Sequence, residues 1–211
     1  AFGISGIYGI GIAAVGMLSI TSVIVSADAY GPIVDNAKGI AEMSDMGHEV
    51  VERCDTLDSA GNTAKAITKG FAISAAALTV LALFATYGEV LAALGVELDI
   101  DLQRPVVLAG VLLGATCPPV FSALLMLAVT KNAFLMIEEI RAQFRTKPGI
   151  LKGSELPDYA RCVSIASAGA LSSLVLPAVI AVIVPIAVGL LLGTDALGGF
   201  LGGSIFTGVI F

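Results

Sequence analysis

Charge is what this chain has least of. Of its 211 residues only 13% are Asp, Glu, Lys or Arg, where soluble domains usually carry about a quarter. Hydrophobic residues make up 57% and the mean hydropathy is +0.97. Stretches with no charge at all run over residues 1–27, 71–88, 105–130, 162–194 and 196–211. A bilayer-spanning helix needs about 20 mostly apolar residues. Three of these runs reach that length alone, 71–88 reaches it with its flanks, and the last continues to the end of the chain. Alternating strands of the kind that close a membrane barrel are missing, so only helices remain to satisfy the backbone in lipid. The expectation is an all-α integral membrane protein.

Other absences narrow the function. The net charge is −6 and the Lys and Arg residues form no cluster, which excludes nucleic acid as a partner, because phosphate neutralisation needs basic groups. Cys54, Cys117 and Cys162 stand tens of residues apart and have neither disulfide-framework nor metal-ligand spacing. No initiator Met and no signal peptide with a basic leader are present, and both ends fall inside apolar runs. The expectation is a piece of a longer polypeptide.

Read as helices, the apolar runs give five spans at about 2–29, 60–88, 105–140, 160–193 and 196–211, joined by polar connections at 31–59 and 131–159. Every Lys and Arg except Arg104 lies in residues 31–69 or 131–161, whereas the connection at 89–104 is acidic, with Glu89, Glu97, Asp99 and Asp101. The positive-inside rule makes the basic side cytoplasmic. Gly198-x-x-x-Gly202 and Gly199-x-x-x-Gly203 mark close helix packing in the last span.

Chemistry is concentrated where the first two spans reach the basic side. Asp28, Asp35, Glu42 and Glu49 recur every seven residues, close to two helical turns, so they form one acidic stripe. Pro32 removes a backbone donor and predicts a kink there. Carboxylates at a membrane edge call for a compensating cation. Magnesium suits them, since it takes one or two carboxylates and leaves other positions to phosphate and water. Glu42 and Glu49 lie well outside the apolar run and fit a solvated helix face; Asp28 closes it. Asp55 and Asp58 are placed to favour a helix N-terminus. Asp58, Asn62, Lys65 and Lys69 share one helical face, which suits a metal-bridged anion or, equally, an ion-pair network within the helix. His48, the single histidine, reads as solvated.

The segments Asp28-Ala-Tyr-Gly-Pro-Ile-Val-Asp35-Asn36, Gly39-Ile-Ala-Glu42-Met43 and Leu57-Asp58-Ser-Ala-Gly61-Asn62-Thr63 are similar to those of the membrane-integral pyrophosphatases. So are Lys69-Gly70-Phe71-Ala72-Ile73, Lys147-Pro148-Gly149-Ile150 and Pro157-Asp158-Tyr159-Ala160-Arg161-Cys162, in the same order over most of the chain. The resemblance implies ion pumps that hydrolyse inorganic pyrophosphate, built as homodimers of subunits with about 16 transmembrane helices, each needing about 20 apolar residues. It makes residues 1–211 a partial pyrophosphatase domain in a lipid bilayer, bacterial cytoplasmic membrane most of all, with the active site on the cytoplasmic side.

The same resemblance implies that Asp35 and Asn62 help to hold magnesium and pyrophosphate, that Asp28 belongs to the site one repeat deeper, and that Lys69 lies near the substrate. It implies that Lys65 and Thr68 mark a potassium-independent member, and hence a proton pump, with the Lys65 ammonium standing where K⁺ would sit. Lys38 departs from the family pattern, which more often has glycine there. The water-activating aspartates, most metal ligands and the ion gate are expected outside residues 1–211, so no catalytic residue is assigned here and the segment alone is expected to be inactive. A sodium-pumping member of the family, a secondary transporter with broken helices and an idle scaffold subunit are the alternatives.

Overall fold

A computed structural model describes residues 1–210. It contains six α-helices and, among the described residues, no strand: α1 (Phe2–Leu18), α2 (Thr21–Met43), α3 (His48–Ala93), α4 (Pro105–Thr146), α5 (Tyr159–Leu192) and α6 (Thr194–Ile210). The protein is an all-α membrane protein. α3, α4 and α5 are each long and apolar enough to cross a bilayer, and α1 and α2, bent by 46° at the break between them, reach that length and apolarity together, as a broken span or a re-entrant pair. α6 is apolar but has 17 residues. Large apolar side chains stand open on these helices, Ile4 at 89% and Leu190 and Leu191 at 81% exposure. Such faces need lipid or further helices against them rather than water.

The chain divides into two compact units, the first covering Ala1–Glu97. In it α1 and α2 both pack on α3. The bend between α1 and α2 lies at Ser19 and Ile20. Hydroxyls replace the backbone partners lost there: Ser19 Oγ donates to the Gly16 carbonyl at 2.7 Å and Thr21 Oγ1 to that of Leu18 at 2.6 Å. The expected kink at Pro32 is not where the bend falls; α2 stays helical on both sides of Pro32. A four-residue turn over 44–47 leads into α3, with Gly47 at φ +89°, a conformation open to glycine.

The helices run further than charge alone suggested. Residues 48–59 belong to α3 and 131–146 to α4, so most of both polar connections is helical. Glu and Arg are good helix formers, and pairs such as Arg53–Glu49 at 2.5 Å carry the helix into a polar surrounding. Asp55 and Asp58 therefore lie inside α3 and not at its start.

In the second unit, from Leu98 on, α4 packs on both α5 and α6. Pro105 opens α4 at a position where a missing N–H costs nothing. Asp158 caps α5, accepting from the Arg161 N–H at 2.9 Å. Gly193 at φ +91° turns α5 into α6. Where α4 and α6 meet, glycine faces backbone from both sides. A Cβ on Gly110 would strike the Ala196 carbonyl and one on Gly114 the Phe200 carbonyl, while Gly199 lies against Val107 and Gly203 against Val111. Val188, Ala196 and Phe200 form the small core beside this seam.

Candidate functional site

The residues singled out by sequence collect in the first unit, where α2 crosses α3. Gly31 and Gly61, both buried, let the two backbones meet: a Cβ on Gly61 would stand 3.0 Å from Gly31 Cα and 2.9 Å from Val34 Cγ2. Positions 31, 34, 38 and 41 of α2 turn toward α3, at helical spacing. The Lys65 side chain of α3 lies across Gly31, filling the place where a Cβ would stand. Glycine at 31 thus does two things: it permits the crossing and gives Lys65 its bed.

From this crossing a chain of polar contacts runs along α3. Asn62 Nδ2 donates to Asp58 Oδ1 at 3.2 Å, and Lys65 Nζ donates to Asn62 Oδ1 at 3.4 Å. The orientation of the amide is dictated by its neighbours. A carboxylate can only accept, so it faces the NH₂; an ammonium can only donate, so it faces the carbonyl. Lys38, from α2, closes the chain. Its Nζ lies 2.5 Å from Asp55 Oδ1 and 3.7 Å from Asp58 Oδ2.

Asp28 and Asp35 are exposed on the flank of α2 next to its α3-facing side. Among the described residues neither carboxylate takes part in a hydrogen bond or ion pair, which leaves both as hard oxygen donors. No three His, Cys, Asp or Glu side chains come together as a metal-binding group among the described residues. Asp28 and Asp35 could each give oxygen to a separate magnesium ion, whose remaining positions magnesium ordinarily fills with water and phosphate. Lys69 is exposed one turn beyond Lys65. Thr68 lines an apolar groove with Leu18, Thr21, Ile24, Val25 and Phe71. His48 is 94% exposed, beside Glu52.

Two polar clasps of the second unit carried no signal in the sequence. Gln143, 7% exposed, accepts from the Asp158 N–H at 2.7 Å and donates to the Asp158 carbonyl and to Glu139, tying the end of α4 to the start of α5. Arg104 donates to Asp195 Oδ2 at 2.6 Å and to Asp99 Oδ2 at 3.2 Å, and the Asp99 N–H donates to Asp195 Oδ1. That N–H first, then Arg104, holds the Asp195 carboxyl below the usual carboxylate range, against desolvation.

Long apolar helices, with one pair of them bent at a break, define a polytopic membrane protein whose polar side chains form a chain of contacts where α2 crosses α3. The family model for inorganic H⁺ pyrophosphatase matches residues 1–211, and the chain belongs to that family. It is 55% identical over 93% of its length to a Clostridium tetani protein provisionally named a K⁺-stimulated pyrophosphate-energized sodium pump. It is 49% identical over 97% to a K⁺-insensitive pyrophosphate-energized proton pump of Methanosarcina mazei, and 44% identical over 98% to a K⁺-stimulated sodium pump of Thermotoga maritima. The chain spans 28%, 30% and 29% of the length of these three relatives.

Proposed function

We propose that the chain is the part of a pyrophosphate-energised, potassium-independent proton pump that helps to hold magnesium pyrophosphate at the cytoplasmic side of a bacterial membrane. The observation that carries this reading is Lys65 lying across Gly31 with its ammonium on the Asn62 carbonyl. A tethered ammonium beside the substrate supplies the positive charge that a bound K⁺ would otherwise bring, and Thr68 one turn on completes the pair that resembles potassium-independent members. Asp28, Asp35 and Asn62 would hold the metal and the substrate, with Lys69 near it. Magnesium, when bound, neutralises phosphate oxygens on which charge builds during phosphoryl transfer. What residues 1–211 themselves do is bind and orient. The groups that activate water and gate the ion belong to other helices of a full-length homodimer, so the segment alone neither hydrolyses pyrophosphate nor pumps. The mixed relatives support a second reading, a sodium pump, because the 55% identical Clostridium tetani protein carries that name.

Asp35→Ala and Asn62→Ala in the full-length protein test the site. Each is expected to lower turnover of magnesium pyrophosphate at least tenfold, the scale of losing about 1.4 kcal/mol of transition-state stabilisation. Wild-type turnover in both variants would remove the site assignment.

A further inference from the structure

The polar chain at the α2–α3 crossing begins on Lys38, to which neither the resemblance nor the relatives give any role. Both carboxylate oxygens of Asp58 are engaged, Oδ1 by the Asn62 amide and Oδ2 by the Lys38 ammonium. The Asp58 side chain is 13% exposed and that of Lys38 25%, while Asp55 is open at 64%. Lys38 is thus the charged side chain of α2 that pairs with acids of α3, and it reaches the less exposed of the two. The consequence passes along α3 by hydrogen-bond polarity. With Asp58 held, Asn62 must present its NH₂ to the carboxylate and its carbonyl to Lys65. Without Lys38 the Asp58 carboxylate still accepts from the Asn62 amide but is free to change rotamer, and the amide, with the Lys65 ammonium resting on it, shifts with it.

We propose that Lys38 is a positioning residue: clamped between Asp55 and Asp58, it fixes Asp58 and, through the Asn62 amide, sets where the Lys65 ammonium stands. The functional part of this inference rests on the reading of Lys65 as the replacement for K⁺. Lys38 itself touches neither metal nor substrate. Its removal therefore loosens the tethered cation without deleting it, and a free K⁺ gains room to compete for the same place.

The test uses the full-length protein in membranes, with magnesium pyrophosphate as substrate and K⁺ varied. Lys38→Met is expected to acquire K⁺ stimulation of about two- to fivefold, the factor that one exposed ion pair can shift. Lys38→Arg, which keeps the charge, restores K⁺-insensitive turnover. In a Lys65→Ala background Lys38→Met has no additional effect on the K⁺ response, because the residue it acts through is gone. A general loss of packing would instead lower turnover equally with and without K⁺ and add to Lys65→Ala. If Lys38→Met does not accumulate, Lys38→Gln makes the same comparison with an uncharged donor. A K⁺-insensitive Lys38→Met beside an active wild type would overturn the inference and leave the proposed function standing. A wild type that does not hydrolyse pyrophosphate would overturn both.

Discussion

An ammonium fixed by its own polypeptide cannot be washed out, diluted or replaced by sodium, and that is the measurable difference between Lys65 and a bound potassium ion. Lys65→Ala in the full-length protein empties the place across Gly31. Hydrolysis is expected to fall in K⁺-free buffer and to recover on adding K⁺, by about an order of magnitude if the ammonium contributes about 1.4 kcal/mol there. A mutant that ignores K⁺ would count against the tethered-cation reading. How far this site was legible differs from residue to residue. The Asp58, Asn62 and Lys65 contacts follow from helical spacing, because residues three and four apart are neighbours on a helix. The partner of Lys38 could not be read that way. Which acid meets it depends on the register between two helices, and the Gly31–Gly61 crossing that sets this register is a three-dimensional fact. Asp55 and Asp58 were expected to favour a helix N-terminus for the same reason: with α3 assumed to begin near residue 60, they had no partner on α2.

At the scale of the elements, the seam between α4 and α6 holds by contact of backbone with backbone. Without a hydrophobic drive between helices in lipid, such close approach is what binds them. Gly114→Val places side-chain atoms against the Phe200 carbonyl. The full-length protein is expected to lose about 1–3 kcal/mol of stability, the scale of overpacking, seen as faster thermal inactivation; an unchanged rate would contradict the seam. The Gly199-x-x-x-Gly203 half was legible as a packing motif, but its partners Gly110 and Gly114 were hidden in an apolar run where glycine draws no notice. Charge also misled on helix ends, because i,i+4 pairs extended α3 where loops were expected. The Arg104–Asp195 clasp makes a pH prediction. A carboxyl held below its ordinary value adds stability above the ordinary range, and that stability is lost as pH falls through the lowered value. Asp195→Asn should therefore inactivate faster than wild type at neutral pH, with the gap closing only below the ordinary value of about 3.9. A gap that is the same at every pH would show that the charge of Asp195 is not what holds the clasp.

For the whole molecule, the charge asymmetry of the sequence predicts the membrane orientation. In a full-length background lacking Cys54, Cys117 and Cys162, thiols introduced as Glu97→Cys and Lys152→Cys should react with a membrane-impermeant reagent from opposite sides, Lys152→Cys from the cytoplasm. The reverse pattern would overturn the orientation. Five spans were expected from the apolar runs; three helices, or four if the bent α1–α2 pair is one span, are long and apolar enough to cross a bilayer, and α6 has 17 residues. The 46° break was not legible, because Ser19 and Ile20 sit inside a charge-free stretch with no proline to mark it. The most direct test is phosphate release from magnesium pyrophosphate by membranes carrying the full-length protein, measured with and without K⁺. Equal hydrolysis in both buffers is the expected result, for it supports the pyrophosphatase activity and the tethered cation together. Hydrolysis only in the presence of K⁺ would contradict the role of Lys65 and with it the inference to protons, and no hydrolysis in either buffer would contradict the function itself.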